Sequence, residues 1–531
     1  MRKALSLAPI LSLVSLAAFA AFLLATAWLG HLERGGPPHA DVTLDGEIPA
    51  TFFLPGPSSG DPPFSAFFDA PPLGERPPVV ILTHGISSDR ANLSSLARKL
   101  AGAGFAVLTL DHRGHGENRN RFPGGRGRPD ALAPDFAAAV DFLRTSPLVD
   151  GSRIAVMGHS MGAGAALDFA TRDSGLDAVV AISGGRSMLG PQRPPNVLFL
   201  YAAADPERIK TRGAELAARL AGIPQPVPGE RYGDFRQGTA VRRVEVPAAD
   251  HATIIWSDFA FSEIVAWLDA AFEHERSSPP VASDPRGPVV ALLGVLLVLV
   301  LPGFGLLVGG LTPTTEHLPD SRRPIGLLLL TAALVATMPL AALGSPGAIL
   351  LIEIGDTVGV HFALAGVALL TALYLRDRSQ FSSLFAAPGR SLIGAALGTF
   401  GIYFLLQPIG SFLHRIALTP ERMGVFLLVT LGFLPLTLAM QALLRRGRPL
   451  SAGLYSAAGR VIVLLVMAAG VAAGVLSPVV MLMIPAIALV FVAAEILASS
   501  FYLASRNLLA IGLIDAAWLG LIVAAIMPIR I

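Results

Sequence analysis

The sequence predicts a mixed α/β domain followed by an all-α bundle of transmembrane helices. Three observations predict it. After an apolar N-terminal stretch, charged and apolar residues mix up to about Ser278, as they do in a water-soluble domain. Inside that part, short apolar runs such as Val79–Thr83 alternate with helix-like segments, the pattern of a mostly parallel sheet with helices on both faces. From Pro288 to the end, long apolar runs dominate, each of a length that crosses a bilayer.

Composition narrows the function classes. The chain has 531 residues, roughly three or four domain lengths. Its formal net charge is +2, close to neutral, so its arginine excess is read as loop charge and not as a nucleic-acid surface. It contains no cysteine, which excludes disulfides, thiolate metal sites and a cysteine nucleophile.

The elements follow in order. Met1-Arg2-Lys3 precedes an apolar run from Ala4 to Gly30. At about 1.5 Å per residue this run spans a hydrocarbon core of ~30 Å, and it exceeds the roughly 7–15 apolar residues of a cleaved signal peptide. Residues 1–30 are therefore read as an uncleaved signal anchor, although Ala25-Thr26-Ala27 resembles a cleavage site. Residues 31–276 form the soluble domain, 277–288 a Pro- and Ser-rich linker, and 289–531 a membrane domain of about eight helices.

In the soluble domain, Asp41–Pro55 reads as two strands joined at Asp45-Gly46. Strands are expected at 79–83, 105–110, 154–157, 177–183, 196–201 and 241–246. Helices are expected at 93–103, 135–145, 163–171, 214–221 and 259–272. In a sheet of this kind, reactive side chains lie at the carboxyl ends of the strands.

The centre of the domain is Arg153–Gly164. The run Ile154-Ala155-Val156-Met157 leads into Gly158-His159-Ser160-Met161-Gly162, and an Ala-rich helical segment follows. A serine on such a strand–turn–helix corner is lifted clear of the backbone, within reach of a base. The N–H of Met161, opening the helix, points toward an oxyanion formed on a bound acyl group. Asp205 and His251 each follow a later strand, 45 residues (205 − 160) and 46 residues (251 − 205) further on. Asp250 is a rival acid, but a carboxylate adjacent in sequence to His251 is poorly placed to orient its ring. His84, His112, His115 and His159 are read as structural, and Asp111 and Arg113 as ties between loops, with substrate contact as their alternative.

Arg76–Gly185 resembles the α/β-hydrolases of the esterase, dienelactone-hydrolase and serine-aminopeptidase-like group. The residues that carry the resemblance are Thr83-His84-Gly85, Asp111-His112-Arg113-Gly114-His115-Gly116 and Gly158-His159-Ser160-Met161-Gly162, with the order Ser, Asp, His. The resemblance implies an α/β-hydrolase fold with Ser160 as nucleophile, His251 as general base and Asp205 as its orienting carboxylate. It also implies an oxyanion hole from the N–H groups of Ile86 and Met161. One departure is Ala202-Ala203-Ala204 before Asp205, where such families often carry a glycine.

This chemistry needs no metal and no organic cofactor, and no metal-ligand spacing such as H-E-x-x-H occurs. The interval Gly184–Pro195 is too short for a large helical cap, which leaves the site open or covered by the bilayer, the loop Ile223–Gly229 or the membrane domain. The expected partner is a small-molecule or lipid acyl substrate. Substrate-binding residues and oligomeric state are not legible.

In the membrane domain, spans are expected at 289–311, 325–343, 357–375, 391–412, 423–444, 459–476, 479–504 and 508–528. With the N-terminus inside and the soluble domain outside, twelve Lys and Arg residues, Arg460 among them, fall on the cytoplasmic side and three outside. That distribution obeys the positive-inside rule and predicts an extracytoplasmic soluble domain. Glu495 and Asp515 lie within spans, with Glu353, Asp356 and His361 near the start of another; they read as interhelical hydrogen-bonding groups or as a proton or substrate path. The whole predicts a membrane-anchored serine hydrolase, against a membrane acyltransferase, a serine peptidase or a non-catalytic binding module.

Overall fold

The computed structural model describes residues 8–56, 75–123, 129–184, 192–275, 280, 283–314, 323–343, 349–353, 355–385 and 387–530. The chain divides into two compact units, one of residues 29–288 with 411–415, the other of 1–28, 289–410 and 416–531.

The first unit is built on one nine-stranded sheet in the order β1-β2-β4-β3-β5-β6-β7-β9-β8. The strands are β1 (His39–Leu44), β2 (Ile48–Phe53), β3 (Val79–Thr83), β4 (Ala106–Leu110), β5 (Ile154–His159), β6 (Ala178–Ile182), β7 (Val197–Ala202), β8 (Arg231–Tyr232) and β9 (Val241–Val246). From β4 through β9 the neighbours pair in parallel. The pairs β1–β2, β2–β4 and β8–β9 are antiparallel. Strands β3 to β7 are buried along their whole length, which is why they read as unbroken apolar runs. The β1–β2 connection is the expected hairpin, with Gly46 at φ +78° in its turn.

Alternate strand residues feed two cores. Val79, Ile81, Ile154, Val156, Val179 and Phe199 pack with α3 (Ala133–Thr145), α4 (Met161–Ala170) and α5 (Glu207–Ala221). Val80, Leu82, Ala155, Met157, Val180 and Leu198 pack with α2 (Ser94–Gly102) and α6 (Asp258–Ala271). Helices thus cover both faces, as the strand–helix alternation requires. Two details differ from expectation. Helix α5 begins at Glu207, seven residues before the expected start, because its first turns are polar and its outer face is solvated. Strand β8 is two residues long, too short to leave an alternation to read.

The second unit is helical. Among the described residues, nine helices are long and apolar enough to cross a membrane. They are α1 (Ala8–Arg34), α7 (Arg286–Gly310), α8 (Arg323–Leu343), α9 (Gly355–Arg376), α11 (Pro388–Leu413), α12 (Pro420–Leu444), α13 (Pro449–Ala472), α14 (Val479–Ala504) and α15 (Leu508–Ile526). A short α10 (Arg378–Ser383), capped by the Asp377 carboxylate, lies between α9 and α11.

Helix α13 corrects the expected span 459–476. It starts ten residues earlier, at Pro449, a residue suited to a first turn. Arg460 therefore lies in mid-helix and buried, not in a loop. Its guanidinium reaches Asp515 (Nη2–Oδ2 2.6 Å) and Glu495 (Nε–Oε2 3.0 Å). Arg445 donates to the other oxygen of Glu495 at 2.6 Å and to Gln441 at 2.6 Å, and Gln441 donates to Asp515 at 2.8 Å. Ser456 and Ser499 also donate to Glu495, each at 2.7 Å. Two cations face two carboxylates across α12–α15, so these buried charges cancel locally and tie the four helices together.

Candidate active site

The register of the sheet sets the site. Thr83 pairs with Gly158, His159 with Ile182, and Ala202 with Val246, so β3, β5, β6, β7 and β9 end at one edge. Ser160 follows β5, Asp205 follows β7 and His251 follows β9.

Ser160 occupies the corner between β5 and α4 at φ +52°, ψ −108°, a backbone conformation that few side chains adopt. Its N–H donates to the Ile182 carbonyl at 2.8 Å, which anchors the corner on β6. The two flanking glycines are sterically required. A Cβ on Gly158 would lie 2.2 Å from the Gly162 carbonyl carbon, and one on Gly162 would lie 2.6 Å from the His84 carbonyl oxygen. Helix α4 can approach β5 and β3 this closely only without those carbons.

Three sequence-predicted side chains come together here. His251 Nε2 lies 3.0 Å from Ser160 Oγ, and His251 Nδ1 lies 2.6 Å from Asp205 Oδ1. The Asp205 side chain is fully buried, and Ser160 is half-buried. Burial alone would favour protonated Asp205. Hydrogen bonds from His251 and from Ser183 Oγ, the latter at 2.6 Å to Oδ2, hold its carboxyl below the usual range. The Ala202 N–H donates to the same Oδ2 at 2.8 Å. A carboxylate so held keeps the proton of His251 on Nδ1 and leaves Nε2 free to accept one from Ser160.

Asp250 is occupied elsewhere. Its Oδ1 accepts from the N–H groups of Ala252 and Thr253 and from the Thr253 hydroxyl, closing its own turn.

The predicted oxyanion residues flank the serine. Met161 is the first residue of α4, where an amide has no partner within the helix. Ile86 lies in the turn after β3, and that turn rests on Ser160: a Cβ on Gly85 would sit 3.1 Å from Ser160 Cβ. His84 shapes this turn. Its Nε2 accepts from the His112 N–H at 3.0 Å, so its proton is on Nδ1, which donates to the Gly85 carbonyl at 2.8 Å. Burial, with His112 adjacent, lowers the His84 pKa to about 3. Asp111 accepts from the N–H groups of Arg90 and Glu117, both at 2.9 Å, and Arg113 donates to Asp135 at 2.9 and 3.1 Å; both tie loops.

His159 does more than fill space. Its Nε2 lies 2.7 Å from the His251 carbonyl oxygen and donates to it, linking the serine strand to the histidine loop. Burial, and then the neighbouring His251, lowers its pKa to about 4, so the ring is neutral. Sequence reasoning missed Ser183 entirely. The one available signal was a hydroxyl at the carboxyl end of a central strand, next to the strands that deliver Ser160 and Asp205.

Among the described residues no group of three or more His, Asp and Glu side chains is arranged to hold a metal ion. The expectation that no cap fits between β6 and β7 falls largely on residues 185–191, outside the described residues.

Residues 74–205 match the Hydrolase_4 family, described as serine aminopeptidase, S33. The chain is 37% identical over 99 residues to an uncharacterized protein of Mycobacterium tuberculosis, covering 19% of this chain and 34% of that one. It is 27% identical over 180 residues to the quorum-quenching protein AidA of Acinetobacter baumannii, covering 32% and 56%. The chain thus spans between a third and just over half of the length of these relatives. A solved structure of a putative dienelactone hydrolase from Klebsiella pneumoniae superposes with a TM-score of 0.31 at 18% identity, covering 44% of this chain and 98% of that one.

Proposed function

The chain carries an α/β-hydrolase domain, and on that premise we propose that it is a membrane-anchored serine hydrolase that cleaves ester or related acyl substrates. The observation that supports this reading most is the continuous hydrogen-bonded series from Asp205 through His251 to Ser160, at 2.6 and 3.0 Å. In the proposed reaction, His251 Nε2 takes the Ser160 proton as Oγ bonds to the acyl carbon. The carbonyl oxygen becomes an oxyanion, which the N–H groups of Ile86 and Met161 stabilise. His251 then gives its proton to the leaving group, and the acyl chain remains on Ser160. Water, deprotonated by His251, attacks the acyl-enzyme and releases the acid. Asp205 stays ionised throughout and stabilises the imidazolium. The proposed substrates are esters of moderate size or lipid-derived acyl groups.

The domain is placed on the extracytoplasmic side in this reading. Arg445 and Arg460 share the buried Glu495 carboxylate, so both leave the cytoplasmic count, giving ten (12 − 2) against three outside. The chemistry is tested with the purified full-length chain and p-nitrophenyl acetate. A pre-steady-state burst, with an acetyl group found on the Ser160 peptide, is expected. Turnover that persists in Ser160→Ala refutes the reading. Product that forms only when an alcohol or amine acceptor is added redirects it to acyl transfer.

A further inference from the structure

We propose that Ser183 is a fourth functional member of the Asp205–His251–Ser160 series, a positioning residue that sets the orientation and the basicity of Asp205. The inference deepens the serine-hydrolase reading and rests on it.

Three features carry it. Ser183 directly follows β6, the strand between those that deliver Ser160 and Asp205, and it is buried. Its Oγ–H donates to Asp205 Oδ2 at 2.6 Å, a length typical of a hydroxyl on an ionised carboxylate. Its backbone stands at φ +48°, in the left-handed region that costs a non-glycine residue energy, while its N–H donates to the Leu200 carbonyl of β7 at 2.7 Å. The strained corner thus aims one hydroxyl at one carboxylate oxygen.

The consequence follows from the donor count. Asp205 Oδ1 serves His251, and Oδ2 is occupied by the Ala202 N–H and the Ser183 hydroxyl. Two donors on Oδ2 fix the plane of the carboxylate, so Oδ1 meets Nδ1 in line. They also draw charge away from Oδ1. Without the hydroxyl, Asp205 attracts the imidazolium more strongly and turns more freely. The nearby titratable groups are His251 itself, His159 with its ring centre 5.0 Å from that of His251, Tyr201 beside Asp205, and Asp250 on the histidine loop.

The test uses the full-length protein and a fluorophosphonate probe, with labelling rate measured against pH. Ser183→Gly removes the hydroxyl and suits the φ +48° backbone, so the fold is retained; Ser183→Ala is the second variant. Both are expected to label about tenfold more slowly than wild type, with the acid limb of the rate moved up by about half a pH unit. In an Asp205→Asn background, where the carboxylate is absent, Ser183→Gly is expected to change the rate by less than about twofold. A loss of rate that is equal at all pH values, or that repeats in full in the Asp205→Asn background, would show a merely structural serine and overturn the proposal. Unchanged labelling of both variants would overturn it as well. A wild-type protein that is not labelled would instead overturn the hydrolase reading on which it rests.

Discussion

Gly158→Ala tests the construction of the corner that presents Ser160. The new Cβ would lie 2.2 Å from the Gly162 carbonyl carbon, 2.3 Å from its oxygen and 2.6 Å from the Ala163 nitrogen. Comfortable contact between carbons begins near ~3.5 Å, so α4 has to retreat from β5 by about 1.3 Å. The obstructing atoms are backbone at the start of α4, and no side-chain rotation relieves them. Overpacking of this kind costs about 1–3 kcal/mol. The retreat also carries Ser160 away from His251 Nε2, and a misplacement of ~1 Å at reacting groups costs roughly 100-fold in rate. The assay is kcat/KM for p-nitrophenyl acetate, paired with a thermal melt. Gly102→Ala, at the end of α2 with open space around its Cβ, is the control, expected to leave activity unchanged. Full activity and an unchanged Tm in Gly158→Ala would refute the argument that close helix–strand approach positions the serine.

Three further outcomes follow from other parts of the molecule. His84 and His159 are neutral when folded, with pKa values lowered from 6.5 to about 3 and about 4. The unfolded chain takes up protons on both as pH falls below about 6.5, so stability is present above that pH and declines toward pH 4 by about 1.4 kcal/mol per pH unit for each. Thermal melts between pH 7.5 and 4.5 should show this slope, and His159→Gln should flatten it. In the helical unit, Glu495→Gln leaves Arg445 and Arg460 short of a counter-charge and is expected to destabilise by about 3–5 kcal/mol. The double variant Glu495→Gln/Arg460→Gln should recover part of that loss, read as Tm in detergent; a single variant as stable as wild type contradicts the charge pairing. Because the chain lacks cysteine, single cysteines report sidedness without background. Gln225→Cys, on an exposed loop of the hydrolase domain, should react with an impermeant maleimide from outside, and Ser382→Cys in α10 should not.

Much of this was legible because burial leaves a trace in composition. Strands β3, β5, β6 and β7 are enclosed on both faces, and each reads as an apolar run ending in a turn. The meeting of Ser160, Asp205 and His251 was readable because strand order fixes which loops come together at the carboxyl ends of the strands. The Ser183 contact was not, since a serine ending a strand has the same local sequence whether its hydroxyl meets a carboxylate or water. Arg460 was misplaced for a related reason. An arginine next to an apolar run marks a helix end in most chains, and only the carboxylates of Glu495 and Asp515, on two other helices, make its burial tolerable. Pairing across distant segments is invisible to a local reading of hydropathy.

The measurement that tests the central claim most directly is fluorophosphonate labelling of the full-length protein, with Ser160→Ala and His251→Ala beside the wild type. Such a probe bonds covalently to a serine whose proton is drawn off by a base, and it requires no knowledge of the substrate. The account predicts a labelled wild type and loss of labelling in both variants. A folded wild type that remains unlabelled, or labelling that survives in Ser160→Ala, would contradict it.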